Sequence, residues 1–227
     1  MNNDYWKKYW NGRWERNETG WHQAEVEPLL IKNFSNLPSN LAAARVFVPL
    51  CGKSLDLKWL EAQGHEVIGV EMNESACRSF FVDNKVEFHL EKRDGFNIYR
   101  GGKVTILNGD IFEVEPDQLG QFDVMYDRAA LIALHPGLRT QYAKHITDLV
   151  RSCVKTERFK MLQIVLERTP HDNEGPPFSI LPEELDELYG AAFKIKPLSR
   201  EQIDMEDMGD SGASVTTECA YDLHREF

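Results

Sequence analysis

The sequence contains few cysteines, and their spacing argues against two kinds of site. Cys51, Cys77, Cys153 and Cys219 are widely separated, without a C-x-x-C pair and without the paired spacing of a zinc finger. The histidines also lack ligand-like spacing. We therefore expect reduced thiols in a cytoplasmic protein, with no metal site.

The sequence also lacks long apolar runs and an excess of positive charge. No apolar run approaches the length of a membrane span, and the segment MNNDYWKKYW lacks the apolar core of a secretion signal. Lysine and arginine number 26 against 37 aspartate and glutamate, which gives a net charge of −11. Because nucleic-acid binding needs a basic face, we expect neither a nucleic-acid nor a membrane partner.

No internal repeat and no low-complexity segment divides the chain. A length of 227 residues, of which 42% are hydrophobic, suits one α/β domain with a sizeable core. We predict a single domain over residues 1–227, with a helical cap over residues 1–40, and a monomer.

The stretch RVFVPLCGKSLDLKWLEAQGHEVIGVE, residues 45–71, has the pattern strand, turn, helix, strand. Gly52 gives the turn its conformational freedom, and Ser54 is a good N-cap for the helix. Ligands of open α/β sheets bind outside the carboxyl ends of the strands, so Leu50, Gly52 and Glu71 face one crevice. An acidic residue about 20 positions after such a turn can accept the hydroxyl hydrogens of a ribose. The stretch predicts a nucleoside site.

The turn lacks the glycines that a phosphate group requires. A dinucleotide fingerprint has the form G-x-G-x-x-G, whereas Gly52 stands alone, and a P-loop needs a glycine where Phe47 stands. A ligand with a ribose and no phosphate fits better, and S-adenosylmethionine is the common one. A βαβ unit without any ligand is the alternative on these residues alone.

Tryptophans dominate the amino-terminal segment. Trp6, Trp10 and Trp14 follow each other at intervals of four, so a helix places them on one face. Such a face either packs its aromatic rings on the core or caps the crevice and excludes water from it.

Three further segments carry candidate site residues. The strand 122–126 ends in Asp127 and Arg128, and charges at the end of a buried strand must be paired or meet a ligand. Asp110 follows a strand at the same edge, where it reads an adenine or only shapes a turn. The stiff EGPPF segment, which ends at Phe178, forms one wall of a substrate site or only connects a strand to a helix.

The mixed and charged stretch at residues 87–99 predicts short strands or a surface loop.

Several blocks together resemble one family. PLCGK followed by GVE, FDVMYDRAALIAL, EGPPFSI and the earlier GWHQ occur in the order found in the thiopurine S-methyltransferase family. The resemblance implies a Rossmann-like class I methyltransferase fold. Such a fold has a mostly parallel seven-stranded sheet with an antiparallel last strand, helices on both faces and an amino-terminal helical cap.

The resemblance also implies roles for particular residues. It makes Arg128 the catalytic residue and Trp21 and Phe178 the substrate-binding residues. The residues implied to bind S-adenosylmethionine are Trp10, Trp14, Leu50, Gly52, Glu71, Asp110, Ile111 and Arg128. Because Trp6 is surplus to the family pattern, the register of the tryptophans stays open by one helical turn.

The implied reaction transfers the methyl group of S-adenosylmethionine to the sulfur of a small aromatic or heterocyclic thiol and releases S-adenosylhomocysteine. Alternatives are a methyltransferase for halide, thiocyanate or selenium and tellurium anions, a non-catalytic S-adenosylmethionine-binding protein, and an NAD-dependent oxidoreductase. The acidic stretch 204–214 has no family counterpart, although substrate-side residues are expected there. The sequence therefore leaves the natural acceptor open.

Overall fold

The computed structural model describes residues 3–34, 43–155, 159–171, 174–203 and 215–225. The strands are β1 (Arg45–Val48), β2 (Glu66–Glu71), β3 (His89–Arg93), β4 (Phe96–Gly101), β5 (Val104–Asn108), β6 (Val124–Arg128), β7 (Lys160–Thr169), β8 (Lys194–Ile203) and β9 (Val215–His224). The α-helices are α1 (Asn3–Glu15), α2 (Pro28–Phe34), α3 (Leu55–Ala62), α4 (Glu74–Asp83), α5 (Pro116–Leu119), α6 (Pro136–Cys153) and α7 (Pro182–Tyr189).

These strands form one sheet in the order β3-β4-β5-β2-β1-β6-β7-β9-β8. The five central strands, from β5 to β7, pair in parallel. The last strand, β9, is inserted between β7 and β8 and is antiparallel to both. The predicted Rossmann-like sheet with an antiparallel last strand is therefore confirmed.

The sheet has two strands more than the predicted seven in the described part of the chain, because residues 89–101 form the hairpin β3–β4 at one edge. Strand β4 pairs antiparallel with β5 and buries Phe96, Ile98 and Tyr99. Every residue of β3 is exposed, and its sequence HLEKR is charged. Charged side chains on an edge strand discourage pairing with another chain, which explains why β3 lacks the apolar alternation of a typical strand.

Helices cover both faces of the sheet, and each face has its own apolar cluster. One cluster contains Leu29 of α2, Leu57 of α3 and Phe80 of α4. The other contains Tyr142 of α6, Tyr189 of α7 and, from the amino-terminal helix, Trp6. The predicted arrangement of helices on both faces is therefore present, and α1 contributes to one of the two cores.

The acidic stretch 204–214 lies outside the described residues, as do residues 35–40 at the end of the predicted cap. Among the helices that are described, none is long and apolar enough to cross a membrane.

Candidate active site

The turn after β1 and the end of β2 meet at the carboxyl edge of the sheet, as the sequence predicts. Leu50 and Gly52 both have left-handed backbone conformations, with φ of 45° and 53°. Gly52 adopts this conformation without the steric cost that a side chain would add. Its N–H donates a hydrogen bond to Glu71 Oε2 over 3.0 Å, so the carboxylate holds the turn in place.

Glu71 is a buried carboxylate with only backbone partners among the hydrogen bonds described. The residue is 5% exposed, and its Oε1 accepts a 2.7 Å hydrogen bond from the Asn73 N–H. Burial raises the pKa of Glu71 to about 7, although the backbone N–H groups lower it. A ligand that donates hydroxyl hydrogens to this carboxylate would favour its ionised form.

A cavity of about 440 Å³ opens beside Glu71. Its size lies within the range of about 300–1,000 Å³ that is typical of small-molecule sites. It is lined by α1 and the residues after it, the turn after β1, the ends of β2 and β6, and two prolines of the EGPPF segment. Most of the predicted site residues contribute to its wall: Trp10, Trp14, Trp21, Leu50, Gly52, Glu71 and Arg128.

Three of the tryptophans form an aromatic wall of this cavity. Trp21 meets Trp10 and Trp14 edge to face, with ring centroids 4.9 and 5.5 Å apart. A Cβ atom placed on Gly52 would lie 3.5 Å from Trp14 Cζ2, so this indole sits directly over the turn. Trp6 is only 6% exposed and packs in the core instead. The structure thus places Trp10 and Trp14, rather than Trp6, beside the cavity.

Two polar contacts fix α1 across the edge of the sheet. Lys7 Nζ lies 2.6 Å from Asp110 Oδ2, and the hydrogen bond to Asp110 raises the pKa of Lys7. Asn73 Nδ2 donates a 2.9 Å hydrogen bond to Asn11 Oδ1. The amino-terminal helix is therefore attached to the loops after β2 and β5.

Asp110 and Ile111, predicted to contact the cofactor, do not line the cavity as the described residues form it. Asp110 binds Lys7 and also accepts a 3.0 Å hydrogen bond from the Phe112 N–H. Ile111 is buried in the core. Their roles toward the cofactor stay predictions.

Asp127 and Arg128 have different environments, although they are adjacent. Asp127 is fully buried and accepts hydrogen bonds from Tyr142 Oη (2.6 Å) and Gln163 Nε2 (2.9 Å). Ala129, the next residue after Arg128, has a φ of 58°, so the chain turns sharply there. Asp127 thus anchors the turn, and Arg128 lines the cavity.

The EGPPF segment contributes prolines rather than its phenylalanine. Pro176 and Pro177 line the cavity, whereas Phe178 is 4% exposed and packs against Trp6 with ring centroids 6.2 Å apart. The guanidinium of Arg168 holds the segment through hydrogen bonds to the carbonyls of Glu174 (2.9 Å) and Pro177 (2.8 Å). The substrate-binding role of Phe178 stays a prediction.

Several residues of the site were not singled out from the sequence. Tyr126 Oη donates a 2.9 Å hydrogen bond to Asp56 Oδ2, and both residues line the cavity. Pro176 and Pro177 belong to a segment that the sequence did indicate. A buried strand that ends in tyrosine gives a weak signal for Tyr126, and Asp56 resembles an ordinary acidic residue in the first turn of a helix.

Cys51 also lines the cavity, and its environment argues against a nucleophile. Burial raises the pKa of the Cys51 thiol well above its ordinary value, and the charge of Glu71 raises it further. A reactive cysteine needs a lowered pKa. A Cβ atom on Gly69 would lie 2.6 Å from Cys51 Sγ, so the thiol packs closely against β2.

A family model and individual relatives of known name indicate the same family for this chain. A model of the family described as Thiopurine S-methyltransferase (TPMT) matches residues 5–226. A thiopurine S-methyltransferase of Pseudomonas paraeruginosa is 39% identical over 192 residues, which are 85% of this chain and 85% of that protein. A probable thiopurine S-methyltransferase of Yarrowia lipolytica is 34% identical over 219 residues, 96% of this chain and 99% of that protein.

Among solved structures, the fold resembles the Burkholderia thailandensis 1,6-didemethyltoxoflavin-N1-methyltransferase with bound 1,6-didemethyltoxoflavin and S-adenosylhomocysteine. The TM-score is 0.55 at 17% identity, over 98% of this chain and 86% of that one. At this identity the likeness supports the fold alone, whereas the family match covers nearly the whole chain. The chain belongs to the thiopurine S-methyltransferase family of methyltransferases.

Proposed function

We propose that this methyltransferase acts on the sulfur of small aromatic or heterocyclic thiols and releases S-adenosylhomocysteine. Membership in the family makes S-adenosylmethionine its cofactor, so the proposal concerns the acceptor and the residues that handle it. One observation carries it: a single cavity is lined by the Glu71 carboxylate and also by Trp21, Arg128 and the prolines of the EGPPF segment. The carboxylate suits a nucleoside group, and the tryptophan and proline side chains suit a flat apolar acceptor, so one cavity could hold both ligands.

The residues present fit the cofactor. Glu71 offers a buried carboxylate for ribose hydroxyls, beside a turn that Trp14 covers. Trp10, Trp14 and Trp21 offer aromatic rings, which attract cations through their π-systems and so suit a sulfonium. When bound, S-adenosylmethionine supplies an electrophilic methyl group on that sulfonium.

The proposed reaction requires the protein to align the two reactants and to exclude water from the cavity, and it does not require a general base. Heteroaromatic thiols ionise near neutral pH, and a thiolate that attacks a cation loses charge toward the transition state, so an apolar environment helps. Tryptophan and proline side chains around the cavity exclude water. Orientation of the two reactants supplies much of the acceleration. Arg128 holds an anionic group of the acceptor by charge-assisted hydrogen bonds.

An acceptor panel tests this proposal. The purified protein is incubated with S-adenosylmethionine and, separately, 6-mercaptopurine, thiophenol, iodide and selenite, and S-adenosylhomocysteine formation is followed. We expect turnover on the two thiols. Preferential turnover of iodide or selenite would favour an anion methyltransferase instead. Calorimetric binding of S-adenosylmethionine with no turnover of any acceptor would favour a non-catalytic binding protein.

The attachment of α1 gives a further expected result. Lys7→Met removes the ion pair with Asp110, so the helix that carries Trp10 and Trp14 loses one of its fixings over the cavity. A partly buried ion pair is worth about 1 kcal/mol, so we expect S-adenosylhomocysteine to bind about fivefold more weakly. Lys8→Met, on an exposed residue of the same helix, is the matched control. If calorimetry gives the two variants equal affinities for S-adenosylhomocysteine, the ion pair does not contribute to cofactor binding.

A further inference from the structure

Arg128 is held by a carboxylate that belongs to the amino-terminal cap. Glu27 Oε2 lies 3.3 Å from Arg128 Nε, and the side chains of Glu27 and Arg128 are 0% and 13% exposed. Arg128 Nη1 also lies 3.5 Å from the carbonyl oxygen of Trp21. Both contacts come from the segment between α1 and α2. The cap therefore sets the position of a guanidinium that lines the cavity.

Glu27 is itself rigidly fixed. Its Oε1 accepts a 3.0 Å hydrogen bond from the Leu29 N–H, and its Oε2 accepts one of 3.2 Å from Gln23 Nε2. Its own N–H donates to Asp56 Oδ1 over 2.9 Å, and Asp56 is bound in turn by Tyr126. A fully buried carboxylate is costly without a cation, and among the described residues Arg128 is the cation that contacts it. The Glu27–Arg128 pair thus joins the cap to the end of β6.

A second carboxyl group completes the cluster. Glu218 of β9 lies close enough to Glu27 and Arg128 to feel the charges of both. Burial, and then the charge of Glu27, raise the pKa of Glu218 to about 7, while Arg128 lowers it and Glu201 of β8 adds a smaller increase.

We infer that Glu27 is a positioning residue, which holds Arg128 by its Nε so that the guanidinium presents its remaining donors to an anionic group of the methyl acceptor in the cavity. The inference rests on the proposed function, because it concerns the acceptor side of the same site.

The test is calorimetric binding of 4-(methylthio)benzoate to protein saturated with S-adenosylhomocysteine. This probe is the methylated product of an aromatic thiol acid, so it carries a carboxylate and no thiol that titrates. Glu27→Gln keeps the side-chain shape and removes the charge. We expect about tenfold weaker binding of the probe and little change for uncharged thioanisole. Glu25→Gln, at an exposed position two residues away, should leave both affinities unchanged.

Loss of a buried charge at Glu27 also weakens the fold, so folding is checked on the same variant. Glu27→Gln that binds S-adenosylhomocysteine and thioanisole with wild-type affinity is folded around the cavity. A loss of affinity confined to 4-(methylthio)benzoate then reports the position of Arg128. An equal loss for both probes would overturn the positioning role.

The outcomes distinguish this inference from the proposed function. Unchanged probe affinity in folded Glu27→Gln, or a wild type that does not prefer the carboxylate probe over thioanisole, would overturn the role of Glu27. Wild-type turnover of thiophenol is measured separately. Its absence would reject the thiol acceptor, whereas the binding comparison needs no turnover and would still decide the role of Glu27.

Discussion

Glu71→Ala is expected to weaken the binding of S-adenosylhomocysteine by about 5- to 150-fold, corresponding to the 1–3 kcal/mol that a buried hydrogen-bonding partner contributes. The variant loses the acceptor for ribose hydroxyls and also releases the N–H groups of Gly52 and Asn73, which fix the turn. Isothermal calorimetry measures the change. Glu66→Ala, at the exposed start of the same strand, is the matched control. Equal affinity of the two variants would remove Glu71 from the cofactor site.

The same residue predicts a pH dependence whose sign follows from its pKa. In the ligand-free protein the pKa of Glu71 is raised to about 7, so the carboxyl group is increasingly protonated below this pH. A protonated carboxyl must lose its proton to accept both ribose hydroxyls. Cofactor affinity should therefore decline as the pH falls below about 7, by at most about tenfold per pH unit. Glu71→Ala should lack this dependence, and a flat wild-type profile would contradict it.

Arg128→Ala is expected to lower kcat/KM for an aromatic thiol about 100-fold, the loss typical of removing one preorganised charged donor from an active site. The variant also leaves Glu27 buried without its guanidinium, so we expect a destabilisation of about 3 kcal/mol. Rates are therefore normalised to the protein that binds S-adenosylhomocysteine.

Arg128→Lys is the comparison for Arg128→Ala. This variant keeps the positive charge beside Glu27 but lacks the planar guanidinium with its several donors. Its folding stability should therefore be closer to wild type than its kcat/KM is. Wild-type turnover in folded Arg128→Ala would exclude Arg128 from the catalytic residues.

The sequence predicted well those features that depend on residues close together in the chain or on motifs specific to one family. The turn at Gly52 and the carboxylate of Glu71 belong to one strand–turn–helix–strand unit of 27 residues, so their proximity follows from chain geometry. The methyltransferase family and its cofactor followed from several ordered motifs, and the match over residues 5–226 confirms the family. The single-domain organisation and the monomeric state stay predictions.

The parts that the sequence did not predict depend on distant partners. Glu27 has no feature of its own that distinguishes it from a solvent-exposed glutamate, and its role follows only from contacts with Arg128 and Asp56. The ring of Phe178 packs on Trp6, more than 170 residues earlier in the chain, and no local pattern indicates this contact. The predicted role of Phe178 toward a substrate stays a prediction. Likewise, β3 lacks apolar alternation because it lies at an edge. In each case tertiary packing decides what a local pattern leaves open.

The attachment of α1 through Lys7 and Asn11 has a consequence for ligand exchange. Because Trp10 and Trp14 form part of the cavity wall, a cofactor held behind them can leave along that side only when the helix lifts. The ion pair with Asp110 is partly accessible to solvent, so dissolved salt screens it. Release of S-adenosylhomocysteine should consequently be faster at high ionic strength. At low salt, slow release past Trp10 and Trp14 would make this step, rather than methyl transfer, rate-limiting for turnover.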